Sequence, residues 1–145
     1  PNDIYIDERK VCGILIESSV KAARLTRCVV GIGLNVNQEE FDAWVPNPVS
    51  IRNVSGQYVD LSEILDETMQ NIHRYYTLLQ QGEGEAIKQE YLQHLWRKDL
   101  PATYRDAQGE FVGTIRGCDD LGCLQIERED GTMSVYAFRE VSFVL

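Results

Sequence analysis

The chain has 145 residues, of which 43% are hydrophobic and 26% charged, the balance of one globular domain, or of one domain with a small appendage. Its net charge of −9 argues against a non-specific nucleic-acid binder, and no apolar run approaches the roughly 20 residues of a membrane span. Residues 1–36 hold five Lys/Arg and four acids and net +1, so the remainder nets −10. The four cysteines, Cys12, Cys28, Cys118 and Cys123, have no framework-like spacing and predict a reduced, cytoplasmic protein. Cys12 and Cys28 lie in apolar runs as small hydrophobes. Cys118 and Cys123 lack a second pair or a neighbouring His, so a metal site is not expected there.

Asn2 to Ile6 reads as a short strand, Asp7-Glu8-Arg9 as a turn, and Lys10 to Ser18 as the partner strand. Lys21 to Thr26 reads as a polar connection, and Cys28 to Val36 as a third strand. The last two strands are nearly continuous apolar runs, the pattern of strands covered on both faces. Gly13, Gly31 and Gly33 interrupt them. Glycine weakens a strand, so a missing side chain here points to something pressed against the wall. Lys10 and Asn35 stand at the ends of that wall.

Asn37 to Asn47 reads as a loop. Phe41 and Trp44 are expected to anchor it to the core, with a lid as the other reading. Ser50 is placed to N-cap a turn of helix, Ile51 to Val54, stopped by Gly56. Leu61 to Gln81 is the clearest helix, with Leu61, Ile64, Leu65, Met69, Ile72, Tyr76 and Leu79 at helical spacing on one face. Asp60 and Glu63 form a capping-box-like pair before it. A second helix is predicted from Glu85 to Trp96, with Ile87, Tyr91, Leu92 and Leu95 inward. His73 and His94 fall on these helices without a catalytic setting.

After Leu100-Pro101 the period changes to that of strands. Five are predicted: Ala102–Arg105, Glu110–Arg116, Leu124–Glu127, Met133–Phe138 and Val141–Leu145. Five short strands with Gly- and Asp-rich turns read as a small barrel.

Pro1-Asn2-Asp3, then Lys10-x-x-Gly13-Ile14-Leu15, then Gly31-x-Gly33-x-Asn35-x-Asn37, in that order, resembles the catalytic domain of biotin protein ligases. The resemblance continues through the helices to the β tail. It implies an α+β fold: a mixed β-sheet with packed helices, part of a class II synthetase-like catalytic domain, over residues 1–98. An SH3-like β-barrel would follow over residues 99–145. It also implies that the chain is a fragment, lacking the family's upstream Gly/Arg-rich loop and inactive alone.

By the same resemblance the substrates are ATP and biotin, with Mg²⁺, and the product biotinyl-5′-AMP passes biotin to a lysine of a biotin carboxyl carrier protein. Lys10 would be the catalytic, ligand-binding lysine. Gly13, Leu15, Gly31 and Gly33 would floor the biotin site. Asn2, Asp3 and Asn35 would face the nucleotide, with Asn35 a candidate magnesium ligand. Asp3 has an equal alternative, pairing with a nearby basic residue. Arg139 and Glu140 lie where the family's tail approaches the nucleotide. A homodimer through sheet edges is a further expectation. Two other functions compete: a lipoate ligase or transferase, and a non-catalytic binding or dimerisation module. Gly31-x-Gly33 is not a dinucleotide fingerprint, because it lacks a third glycine and a following helix.

Overall fold

The computed structural model describes residues 2–22, 24–137 and 139–144, with Val20 and Arg24 described by their backbone only. The expectations for Pro1, Phe138 and Leu145 lie outside the described residues. The chain divides into two compact units, Asn2–Arg74 and Tyr75–Leu145, and the division falls inside a helix.

The first unit opens with three antiparallel strands, β1 (Asp3–Ile6), β2 (Arg9–Lys21) and β3 (Arg24–Leu34), in the order β1-β2-β3. The mixed sheet is thus corrected: both sheets of described strands are antiparallel. Connections of only two to five residues between consecutive strands of each sheet leave no room for the crossover a parallel pair needs. The expected polar connection at 21–26 is also corrected. Strand pairing runs on to Lys21↔Arg24, so β2 and β3 form one long hairpin.

Short segments then pack behind the start of β2. Val11, Cys12 and Val49 form the buried core, with Ile6, Ile14, Leu34 and Ile51 against it. Burial and the Asp3 carboxylate push the Cys12 thiol's pKa up, against a smaller opposite pull from Lys10. Helix α1 (Ile51–Ser55) starts at Ser50 as predicted, in a reciprocal capping box with Asn53. Gly56 closes it in the left-handed conformation at φ 72°. Ser50 is fully buried and also donates to the Gln38 carbonyl at 2.5 Å. The Asn37 side chain bonds both backbone groups of Val59, fixing the approach to α2 (Leu61–Gln80).

The apolar faces of the β2–β3 hairpin and of α2 are open. Leu15, Ile16, Val29, Val30 and Ile32 are exposed, so the expected covering of both strand faces is not present. The stripe Leu61, Leu65, Met69, Ile72, Tyr76 and Leu79 on α2 has the predicted spacing but is 46–60% exposed. Cys28 is exposed as well, contrary to its expected place as a small buried hydrophobe. Trp44 is 79% exposed, with its indole N–H on Asp42, so it does not anchor the loop. Phe41 is half-buried.

In the second unit α3 spans Gly84–Gln93, shorter than predicted, with His94 as its C-cap. Arg97 and Asp99 then take left-handed φ values of 56° and 61°, which no helix accommodates. Tyr91 is exposed rather than inward. Five antiparallel strands follow: β4 (Pro101–Asp106), β5 (Gly109–Cys118), β6 (Leu124–Arg128), β7 (Met133–Tyr136) and β8 (Ser142–Phe143). Their order is β7-β6-β5-β4-β8. Tyr104, Ile115, Leu124, Ile126 and Tyr136 form the core, joined by Leu95, Phe111 and Phe143.

A polar network crosses one side of this sheet. Asp106 accepts from Arg128 at 2.5 Å, from the Tyr136 hydroxyl at 2.8 Å and from the Gln108 N–H at 2.8 Å. The Arg128 guanidinium lies 3.8 Å from the Phe111 ring centre. The Tyr136 hydroxyl first, then the Gln108 N–H and Arg128, hold the Asp106 carboxyl below its ordinary 3.8. A carboxyl lowered in the folded state stabilises it above the unfolded value. That contribution is lost as pH falls through the folded one. Asp106→Asn is therefore expected to flatten the loss of stability below about pH 4. Urea midpoints of the two proteins from pH 6 down to pH 2 test this, and parallel curves would refute it.

Candidate functional site

The site is built on one face of the β2–β3 hairpin. Opposite residues in an antiparallel pair share a face. Gly13 faces Gly33, and Leu15 faces Gly31. These four therefore form one continuous strip, and Asp3 joins it opposite Gly13 from β1. Gly31 and Gly33 do not serve internal packing. A Cβ on Gly33 would meet only the Gly13 carbonyl oxygen at 3.7 Å, and one on Gly31 only the Leu15 carbonyl at 3.9 Å. Both are ordinary contacts, and neither glycine has a positive φ. Over Gly31 and Gly33 the strip is a floor with free space above it.

Lys10 reaches over the end of that floor. Its Cε and Nζ both lie 3.4 Å from where a Gly13 Cβ would stand. Its ammonium pairs with the Asp3 carboxylate at 2.8 Å, and both side chains are about one-third exposed. Lys10 is therefore ordered against the floor rather than free in water. The Asp3 carboxylate is thus paired with a basic residue, Lys10 itself. An ammonium has three donors, so one bond to Asp3 leaves it able to meet an incoming anion.

The remaining predicted residues fall as follows. Asn2 donates its side-chain N–H to the Ile14 carbonyl at 3.0 Å, and its own carbonyl accepts the Ile14 N–H at 2.7 Å. Asn35 donates from Nδ2 to the Val49 carbonyl at 3.1 Å, and its backbone N–H goes to the Val11 carbonyl at 2.9 Å. Both amides thus keep Oδ1 as an acceptor outside these bonds. Arg139 and Glu140 belong to the other unit, where they line a shallow depression with Arg105, Asp106 and Tyr136. Glu140 accepts the Ala137 N–H at 2.7 Å, and its own N–H donates to the Ala137 carbonyl at 3.2 Å.

One segment escaped the sequence reading. Asn47, Pro48 and Val49 run beside Lys10 as a single parallel bridge. The Lys10 N–H donates to the Asn47 carbonyl at 2.8 Å, and its carbonyl accepts the Val49 N–H at 2.9 Å. The Asn47-Pro48 pair was legible only as a turn signal.

No protein-family model matches the chain. Among curated proteins it is 30% identical over 141 residues to the biotin--[acetyl-CoA-carboxylase] ligase of Paracoccus denitrificans, covering 94% of this chain and 59% of that one. It is 28% identical over 142 residues to the bifunctional ligase/repressor BirA of Bacillus spizizenii, covering 94% of this chain and 43% of that one. The chain is a homologue of biotin protein ligases. The homology extends over nearly its whole length, and the chain spans about half the length of the curated biotin ligases it matches. The fold agrees. The apo biotin protein ligase of Aquifex aeolicus superposes with a TM-score of 0.76 at 24% identity, covering 99% of this chain and 62% of that one. The same ligase in complex with biotin and ATP gives a TM-score of 0.74, covering 98% and 59%.

Proposed function

We propose that this chain carries part of the active site of an ATP-dependent biotin protein ligase. The reaction joins the biotin carboxylate to the α-phosphate of ATP, releasing pyrophosphate and forming biotinyl-5′-AMP. A lysine amine of a biotin carboxyl carrier protein then attacks the mixed anhydride, and AMP leaves. The observation that supports this reading is the Lys10 ammonium held over the end of the Gly13–Gly33 floor.

Both steps concentrate negative charge. A carboxylate and a phosphate repel each other until a cation lies between them. Lys10 supplies that cation at a fixed position, and a preorganised charge in a partly dry site is worth roughly 3 to 4 kcal/mol. Leu15 and the glycines give the fused rings of biotin a flat seat. Asn2 and Asn35 offer acceptor oxygens toward the nucleotide, and Asp3 keeps Lys10 aimed. A magnesium ion bound mainly by phosphate oxygens and water would need only one or two protein ligands, and the Oδ1 of Asn35 fits that need. Such an ion supplies further neutralisation of phosphate charge. We read the second unit's five strands as the counterpart of the family's SH3-like tail. The carrier protein is the macromolecular partner this reading requires.

Lys10→Ala is expected to weaken binding of biotinyl-5′-AMP by about tenfold or more. Isothermal titration of the two proteins decides it, with the lipoyl adenylate as the comparison ligand. Equal affinity with and without the Lys10 side chain would overturn the assignment. Tighter binding of the lipoyl adenylate would move the substrate to lipoate.

A further inference from the structure

We infer that Asn47 is a positioning residue for the site, acting through Lys10 without touching the ligand; the inference rests on the functional reading of Lys10 above. Lys10 is held by more than its place in β2. Both of its backbone polar groups bond the Asn47–Val49 segment, at 2.8 and 2.9 Å. That segment acts as a short strap along the first residues of β2. Its far end is anchored by Val49 and Ser50, both fully buried.

Asn47 fixes the near end in two ways. Its backbone sits in the left-handed region at φ 51°, which Asn tolerates better than most residues. Its side-chain Nδ2 donates to the Glu8 carbonyl in the β1–β2 turn. That turn joins the strand bearing Asp3 to the strand bearing Lys10. One amide therefore locks together the strap, the turn and the two partners of the ion pair. Pro48 follows, with its φ fixed and no N–H to offer elsewhere. Without the amide, the turn and strap can shift against each other, and the ammonium moves with them. Displacements near 1 Å are enough to lose much of a positioned group's effect.

The variants separate position from fold. Asn47→Gly keeps the left-handed backbone and removes the donor. Asn47→Asp keeps size and turn preference and replaces the donor with an acceptor. Both are expected to melt within about 3 °C of the parent chain. Both should bind biotinyl-5′-AMP about fivefold more weakly. In a Lys10→Ala background the same changes should cost no further affinity, because a residue acting through Lys10 has nothing left to act on. An equal loss in both backgrounds, or no loss in the first, overturns the inference. A second readout needs no ligand. In side-chain NMR spectra the Lys10 ε-methylene is expected to be distinct from the mobile lysines in the parent chain and to merge with them in both variants. If neither parent nor variants bind the adenylate, the functional reading falls while the NMR comparison still decides the positioning role. Unchanged Lys10 signals would refute that role.

Discussion

Gly33→Ala is expected to leave the chain folded and, on the proposed biotin-site reading, to weaken binding of biotin compounds. The methyl would meet the Gly13 carbonyl oxygen at 3.7 Å and nothing closer, so the fold has room for it. The backbone is extended and open to any residue. Replacing a strand glycine under those conditions reduces the freedom of the unfolded chain and typically stabilises by about 0.4–1 kcal/mol. Anything lying flat on the Gly13–Gly33 floor, however, would be lifted by that methyl. Loss of close contact over a bound ring system is expected to weaken binding by more than about tenfold. The measurement is a pair: a denaturation midpoint equal to or above the parent's, and titration with biotin and biotinyl-5′-AMP. A variant that binds normally would mean the glycine floor is not the seat of the ligand.

Gly113→Ala is expected to do the opposite. This glycine also sits in a strand without a positive φ, but its Cβ would stand 2.6 Å from the Ile126 Cγ2 and 3.1 Å from the Glu127 carbonyl oxygen. Ile126 is fully buried in the core of the second unit. The branched side chain and the strand backbone are both fixed, so the clash must push β5 and β6 apart. Overpacking of this kind costs about 1–3 kcal/mol and occasionally more, and we expect the upper end, about 3 kcal/mol. The melting temperature should fall by roughly 10 °C. Thermal denaturation followed by far-ultraviolet circular dichroism checks this. A change below about 2 °C would show that the core yields more easily than its packing suggests.

These two residues show what was legible in the sequence. Both glycines interrupt apolar strands and look alike there. The chain order of Lys10, Gly13, Gly33 and Asn35 pointed to a ligand wall; the register sets Gly13 opposite Gly33, and the Lys10 Nζ lies 3.4 Å from where a Gly13 Cβ would stand. Gly113 carried no such company. Local signals were read well because their causes are local. Ser50 caps α1 through a neighbour three residues on, and Gly56 ends it by adopting a conformation other residues resist. The Asn47 bond to Glu8 spans 39 residues, and no short-range pattern announces it. The open faces of β2, β3 and α2 were misread for a different reason. Periodicity says which side chains are apolar and in line. It does not say what lies against them. Trp44 shows the same limit, since a large apolar ring in a loop is consistent with burial until coordinates put it in water.

The uncovered apolar stripe of α2 and the bare hairpin faces have a calorimetric consequence. Water released from greasy surface on folding is what makes unfolding raise the heat capacity, by roughly 12–15 cal/mol/K per residue in ordinary domains. Here Leu15, Ile16, Ile32, Leu65, Met69 and Tyr76 are already wet in the native state. The heat-capacity increment on melting should therefore fall short of that per-residue figure. The curve of stability against temperature should be correspondingly flat, with less to lose on cooling than a fully covered protein of this length.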